Sequence, residues 1–252
     1  MKEEMLAKLP DTGSAVVVLS GGLDSTIAAR LAVEKYGANN VYALNFNYGQ
    51  KQKVEIVRAI QIAADLQIKI KLVKLDFLHD FSMGFSANVD PDIKVPHIKE
   101  VLGDPQPKTY VPNRNAIMMH IAAAYAEQQN IKTIILGIQT HDLYGYYDTS
   151  ARFIQTINSS LAENRKHKIQ IVTPFANSSK CDELKLLEEL DGNVGLAGLT
   201  ITCYNPIEDH EHCGECPSCS ERILNFAKFG VEDPALYAKK IDWERLFEKY
   251  KE

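Results

Sequence analysis

Ala15 to Leu19 reads AVVVL, five apolar residues in succession. A strand with one wet face alternates; an unbroken run suits a strand covered on both faces, as in a parallel sheet. Val41 to Phe46, Ile68 to Leu75, Thr133 to Ile138 and Ile169 to Pro174 are read as further strands of the same buried kind. Between them lie helical patterns at Ser25 to Tyr36, Gln50 to Leu66, Pro112 to Gln129, Ala151 to Glu163 and Ser179 to Leu190. Strand and helix alternating at this spacing predict an α/β fold with a doubly wound, mostly parallel sheet. Ligands in such sheets bind outside the carboxyl ends of the strands. Two helix starts carry a mechanism. Pro112, with a preset φ and no N–H to lose, suits a first helical turn. Ser179 with Asp182 three residues on resembles an N-cap with an acid at the positive helix end.

Asp76 to Tyr110 carries Pro91, Pro96, Pro105 and Pro107 without a sustained period, which reads as a long irregular lid or binding loop. Asp233 to Tyr250 reads as a helical tail whose Leu236, Tyr237, Ile241, Leu246 and Phe247 share an apolar face. The 252 residues carry 28 Lys and Arg against 33 Asp and Glu, a net charge of −5. That balance excludes a generic basic nucleic-acid coat, so no direct nucleic-acid partner is expected. No run of about 18 apolar residues occurs, and Met1 to Asp11 lacks a signal peptide's apolar middle, so a cytoplasmic protein without a membrane partner is expected.

AVVVL runs directly into Ser20-Gly21-Gly22-Leu23-Asp24-Ser25-Thr26, and a helix follows. Glycines let a backbone approach an anion, hydroxyls donate to it, and the N–H groups of a helix N-terminus face it. A strand-to-helix turn capped by Asp or Ser would look similar, but its place after the first buried strand favours a phosphate loop. Asp24 would repel phosphate unless it serves a bound Mg²⁺.

Four of the five cysteines, Cys203, Cys213, Cys216 and Cys219, are spaced C-x9-C-x2-C-x2-C. In a reducing compartment this crowding points to a metal before disulfides. Four thiolates close a tetrahedral zinc shell, and four cysteines also suit an iron–sulfur cluster; structural zinc is the favoured expectation. His210 and His212 beside the cluster are expected to be solvated loop residues. Cys181 stands outside it, read as a small residue packed near a helix start. His79, His97, His120, His141 and His167 follow no ligand spacing. His120 is expected to be packed, and His141 beside Asp142 is the one placed to act.

The segment SGGLDS resembles the SGGxDS signature of the PP-loop ATP pyrophosphatase superfamily, and together with the C-terminal cysteines it is similar to the 7-cyano-7-deazaguanine synthase family. Phe46-Asn47-Tyr48-Gly49-Gln50 with Glu55 resembles that family's FxYGQ…E stretch. Val111-Pro112-Asn113-Arg114-Asn115 resembles VPGRN with Asn113 in place of Gly, a mild exchange because Asn tolerates the left-handed conformation. Lys180 stands where the family opens a helix with Lys. Thr202-Cys203-Tyr204-Asn205 and the run from Cys213 to Arg222 follow TCYN and CGxCxxCxxR. One stretch departs: in Asp142-Leu143-Tyr144-Gly145-Tyr146-Tyr147-Asp148-Thr149-Ser150, Tyr144, Tyr147, Thr149 and Ser150 replace the family's Ser, Pro, Cys and Arg.

The resemblance implies a nucleotide-binding domain over 1–200 and a zinc-binding region with C-terminal helices over 201–252. It implies an ATP-dependent ligase that adenylates 7-carboxy-7-deazaguanine and joins it to ammonia, giving 7-cyano-7-deazaguanine in queuosine precursor synthesis. ATP, Mg²⁺ and Zn²⁺ would be the cofactors and a homodimer the assembly. Ser20, Gly21, Gly22, Leu23, Asp24, Ser25 and Thr26 would hold the nucleotide, with Asp24 toward Mg²⁺. Arg114 and Lys180 would neutralise charge at the α-phosphate. Tyr48, Gln50, Asn115, Asp142, Tyr146 and Asp148 would line the second substrate's place, and Cys203, Cys213, Cys216 and Cys219 would hold the metal. The lost Arg leaves open a relative that passes the same acid to another amine, such as a protein N-terminus in antiphage defence. A tRNA-modifying PP-loop enzyme is a further alternative, against which the acidic balance argues.

Overall fold

The structure, a computed structural model, describes residues 1–96, 104, 106–139, 146–207 and 211–250. Asp142, with His141, Tyr144 and Gly145, lies outside the described residues, as do His97, Pro105 and His210. Five strands, β1 (Ala15–Val18), β2 (Val41–Asn47), β3 (Lys69–Lys74), β4 (Thr133–Leu136) and β5 (Gln170–Val172), form one sheet in the order β3-β2-β1-β4-β5. Every pairing is parallel, with Val17 opposite both Ala43 and Ile135. Helices α1 (Lys2–Ala7), α2 (Leu23–Tyr36), α3 (Val54–Asp65), α4 (Asp76–Ser82), α5 (Arg114–Gln128), α6 (Ala151–Ala162), α7 (Lys180–Asp191), α8 (Pro217–Phe229) and α9 (Trp243–Tyr250) flank it.

Strand residues alternate between the two faces, and both faces are apolar. Val17 and Ile135 pack with Ile27, Leu31, Ile62, Leu184, Leu187 and Phe226, which places α2, α3, α7 and α8 on one side. Val16, Leu44 and Ile134 pack with Met119, Ala122, Ile154 and Ile157, which places α5 and α6 on the other. This two-sided cover is why AVVVL needs no alternation. Phe226 joins the same core as Val17, so the chain beyond residue 200 helps fill the sheet's own hydrophobic layer.

From β1 the chain winds outward through β2 to β3, then crosses back so that β4 lies on the other side of β1. The order therefore reverses between β1 and β4, and the carboxyl ends of these two strands open a crevice. Ser20 to Thr26 leave β1 there, and Ile138 and Gln139 leave β4 there.

Several expectations need correction. β3 is an edge strand, not a buried one: Lys69, Lys71, Leu72 and Lys74 are exposed because only β2 pairs with it, and lysines blunt such an edge. Helix α5 begins at Arg114, after Pro112, because Asn113 turns the chain in a left-handed conformation (φ 51°, ψ 22°). Within 76–110, α4 and a set of buried turns replace irregular loop: Ala87 N–H donates to Lys108 O at 2.7 Å and Lys51 N–H to Asn88 O at 2.9 Å. The tail is helical only from Trp243. Before that, His212 pairs in parallel with Tyr237, donating to Leu236 O and accepting from Ala238 N–H, which consumes backbone groups a helix would need. Leu236 is consequently exposed, not part of an apolar face.

Candidate functional site

Gly22 caps α2 in extended backbone (φ −82°, ψ 167°) and puts no side chain on the helix end. The free N–H groups of the first turn are left for an anion. Gly21 has φ +95°, and a Cβ on it would come within 2.3 Å of Glu55 O, so no other residue fits. The hydroxyls brace the loop: Ser20 Oγ accepts from Gly22 N–H at 3.2 Å and lies 2.9 Å from Ser25 Oγ. Thr26 Oγ1 donates to Gly22 O at 2.7 Å. Leu23 is buried in the core and anchors the helix start.

Lys180, the first residue of α7, reaches Asp24 on α2 and donates to both carboxylate oxygens, at 2.9 and 2.8 Å. Burial works against the ammonium, and the charge of Asp24 beside it more than offsets that, pushing its pKa up. The expected cap at Ser179 is present and reciprocal. Ser179 Oγ accepts from Asp182 N–H at 3.1 Å, and Asp182 Oδ2 accepts from Ser179 N–H at 3.0 Å. The cap fixes where α7 starts and so where Lys180 points. Cys181 follows, half-buried, as a residue of that first turn.

Arg114 opens α5, which packs on the other face of the sheet. Its Nη1 donates to Tyr48 Oη at 3.2 Å, its Nε to Asn115 Oδ1 at 3.2 Å, and the guanidinium lies 5.6 Å from the Tyr48 ring centre. Burial opposes its charge, but Tyr48, Asp148 and Tyr146 around it push its pKa up. Asp148 is buried, and its Oδ1 has no hydrogen-bond partner among the described residues. Burial raises its pKa while Arg114 pulls it down. Glu55, half-buried nearby, is pushed up to about 7 by burial, with Arg114 again pulling it down. Gln50 is turned inward: its Oε1 accepts from Tyr48 N–H at 3.0 Å and its Nε2 donates to Phe46 O at 3.2 Å, closing the turn after β2.

Tyrosines rim this side. Tyr147 Oη donates to Asn113 Oδ1 at 2.9 Å and lies 3.1 Å from Tyr110 Oη; Tyr146 Oη lies 2.5 Å from Thr109 Oγ1. Ser150 caps α6, accepting from Phe153 N–H at 3.2 Å, and Thr149 Oγ1 donates to Tyr146 O at 2.8 Å. Two of the departures in this stretch therefore serve local capping and turn bonds.

The Sγ atoms of Cys203, Cys213, Cys216 and Cys219 all lie within 4.8 Å of one another, and all four residues are buried. Backbone N–H groups of Asn205 and Cys213 point at Cys203 Sγ, both at 3.3 Å. Those of Glu215 and Cys216 point at Cys213 Sγ at 3.4 and 3.3 Å, and that of Cys219 at Cys216 Sγ at 3.4 Å. Donors aimed at sulfur stabilise thiolates. Without a cation the thiols cannot all ionise: bonds among them push Cys203 and Cys219 up and Cys216 down. A closed, thiolate-ready donor set of this kind fits a metal.

The cluster is tied to the Ser20–Thr26 loop. Ile201 N–H donates to Gly21 O at 3.0 Å, and Gln52 Nε2 donates to Tyr204 O at 2.8 Å. His212 is not solvated as expected: it is 1% exposed, and its Nε2 accepts from Thr202 N–H at 3.2 Å. His120, expected to be packed, is exposed, with Nδ1 2.8 Å from Ala116 O. Residues that sequence reasoning passed over are Glu183, buried beneath Lys180, and Gln139, which bonds it. The three-residue spacing of Lys180 and Glu183 on one helix was the available signal.

A family model described as QueC, queuosine biosynthesis protein QueC, matches residues 14–230. A 7-cyano-7-deazaguanine synthase from Koribacter versatilis (strain Ellin345) is 37% identical over 234 residues, 92% of this chain and 96% of that protein. One from Legionella pneumophila subsp. pneumophila (strain Philadelphia 1) is 38% identical over 232 residues, 89% of this chain and 97% of that protein.

Proposed function

The chain belongs to the QueC family and is an ATP-dependent ligase of the 7-cyano-7-deazaguanine synthase type, and from that premise we propose how its residues divide the work. The observation that carries the reading is Lys180 held on both oxygens of Asp24 at the start of α2, with Arg114 bonded to Tyr48 near the buried Asp148 as a second cation. ATP supplies the leaving group that a carboxylate lacks. Its pyrophosphate end would lie on Ser20, Gly21, Gly22 and Ser25, against the uncapped end of α2, with Leu23 and Thr26 holding the helix start. Asp24 would hold Mg²⁺ once Lys180 turns from it toward the phosphates.

The acid's carboxylate oxygen attacks the α-phosphorus and pyrophosphate departs. Ammonia then adds to the acyl carbon, AMP leaves with the carboxylate oxygen, and the nitrogen loses a proton to give the amide. A second ATP activates the amide oxygen; loss of AMP and two N–H protons gives the nitrile. Charge grows on phosphate oxygens in each step, and Arg114, with Lys180 once it has turned, would offset it. The free Oδ1 of Asp148 is an acceptor suited to the amino and ring N–H groups of a deazaguanine. Asn115, Tyr48 and Tyr146 would shape that place through Arg114; Asp142 and Gln50 belong to the same proposed set, Gln50 by closing the turn that presents Tyr48.

The four cysteines would hold zinc as a structural ion, which supplies no step of the reaction. Residues 201–252 would then bring the metal to a nucleotide-binding unit of residues 1–200 whose core they help complete through Phe226. The family resemblance supports a homodimer, which sedimentation of the purified chain tests.

The decisive assay mixes purified protein, Mg-ATP, 7-carboxy-7-deazaguanine and ammonia, read by mass spectrometry. AMP together with nitrile is the expected outcome. Acyl adenylate or amide without nitrile would favour transfer to another amine, and absence of AMP would overturn the assignment.

A further inference from the structure

One fully buried acid has no task in the reaction as described. Glu183 is 1% exposed. Its Oε1 accepts from Gln139 Nε2 at 2.5 Å, while its Oε2, also buried, has no hydrogen-bond partner among the described residues. One turn earlier on the same helix, Lys180 holds both oxygens of Asp24. The backbone of Asp24 in turn presses on β4's exit: a Cβ on Gly137 would come within 2.4 Å of Asp24 O. The ends of β4, α2 and α7 therefore meet around this one carboxyl group.

The charged groups facing it are Asp24 of α2 and Lys180 of α7, with Glu221 of α8 acting on the lysine. Lys180 is already committed to Asp24, so an ionised Glu183 would be a second buried anion served by the same cation. A buried charge without its own partner is strongly disfavoured. Burial, and then the charge of Asp24, push the Glu183 pKa well up. A neutral carboxyl resolves the stranded atom: one oxygen accepts from Gln139, and the other carries a proton that it donates toward Asp24.

We propose that Glu183 is a positioning residue that ties the exit of β4, through Gln139, to the Asp24–Lys180 pair that serves the nucleotide. This rests on the ligase reading for the role of Lys180, but not for the arrangement itself. Gln139 lies just beyond the end of β4, so a shift at that exit would reach the Asp24–Lys180 pair through the Gln139–Glu183 bond. An amide in place of the carboxyl reproduces both bonds, accepting from Gln139 and donating to Asp24. A leucine reproduces neither.

The test uses the full-length, metal-loaded protein with Glu183→Gln, Glu183→Leu, Gln139→Leu and the double variant Gln139→Leu/Glu183→Leu. AMP release gives kcat and the KM for ATP, and infrared spectroscopy reads the carboxyl. Glu183→Leu is expected to lower kcat about tenfold to hundredfold with little change in KM, and Glu183→Gln to restore most of that loss. The double variant is expected to be no worse than Glu183→Leu alone, because the two side chains act as one unit. A protonated-carboxyl band present in the wild type at neutral pH is expected to vanish in Glu183→Gln. Equal impairment in Glu183→Gln and Glu183→Leu, additive losses in the double variant, or no such band would overturn the proposal. Should Glu183→Leu not fold, Gln139→Leu breaks the same bond from its half-buried end. The infrared band is read without turnover, so a wild type that makes no AMP overturns the ligase reading while leaving the Glu183 arrangement separately tested.

Discussion

Tyr147 donates its hydroxyl to Asn113 Oδ1 at 2.9 Å, joining two positions at which this sequence departs from its family's motifs. The bond holds the left-handed residue that launches α5, and Arg114 is the next residue along. Where glycine would adopt that conformation freely, asparagine is kept in it by a tyrosine from another segment. Tyr147→Phe should therefore raise the KM for the acid several-fold while the KM for ATP stays near wild type. Because Tyr147 is exposed, its stability effect should stay below about 1 kcal/mol. Steady-state kinetics with each substrate varied in turn, and a melting curve, check both parts.

Lys180 donates to both oxygens of Asp24, and the proposed mechanism places this pair at the nucleotide. Lys180→Met should lower the rate of AMP formation about 10²- to 10³-fold, the scale of losing a preorganised charge at a transition state. Single-turnover release of pyrophosphate measures it. A loss confined to KM would show that Lys180 binds the nucleotide equally in ground and transition states.

Arg222 and Asp233 form a buried ion pair, with Nε to Oδ2 at 2.6 Å and Nη2 to Oδ1 at 2.9 Å, capped by Tyr237 Oη at 2.6 Å from Oδ2. Asp233→Ala leaves a guanidinium stranded in the interior and should cost about 3–5 kcal/mol of stability. Burial would raise the Asp233 pKa, but Arg222 and Tyr237 outweigh it and hold it low. Its contribution is thus present at pH above the usual carboxylate range and is lost as pH falls through the lowered value. Wild-type denaturation midpoints should fall on acidification, and Asp233→Ala should flatten that dependence.

Glu55 is expected to set a pH dependence near neutrality, since burial pushes it up to about 7. A carboxyl raised in the folded state disfavours folding once ionised, so its penalty grows between about 4.5 and 7 and is constant above. In activity, its ionisation places a negative charge beside Arg114. Glu55→Gln should remove an inflection near pH 7 from the kcat/KM profile; an unchanged profile would assign the inflection elsewhere.

Metal removal should act beyond the cysteines. Structural zinc binding contributes about 10–16 kcal/mol in small finger peptides. Cys216→Ser or chelation should therefore lower bound zinc and the melting temperature together, with AMP formation lost in parallel. Elemental analysis beside calorimetry checks this, and a stable, active, zinc-free protein would refute it.

Much of the fold was legible because its signals are local. AVVVL declared a strand covered twice, and Ser179 with Asp182 declared where α7 begins. The cysteine spacing announced the four-thiol cluster through residue type and interval. What escaped was decided over distance. IKIKLVKL looks like a core strand until the sheet order leaves it one neighbour. The tail looked helical until Asp233 and His212 fixed its backbone against other segments. His212 looked solvated because its partner, Thr202 N–H, lies on another segment of the chain, ten residues away. Glu183 and Gln139 are 44 residues apart, and no periodicity announces their bond.

The hydrogen bond from Ile201 to Gly21 also has an order in time. The loop at Gly21 is made early in synthesis, and its brace some 180 residues later. Until Ile201 has left the ribosome, Gly21 O lacks that donor and the loop stands without its rear support. A truncated or half-made copy therefore carries the Ser20–Thr26 loop without the segment that braces Gly21 from behind.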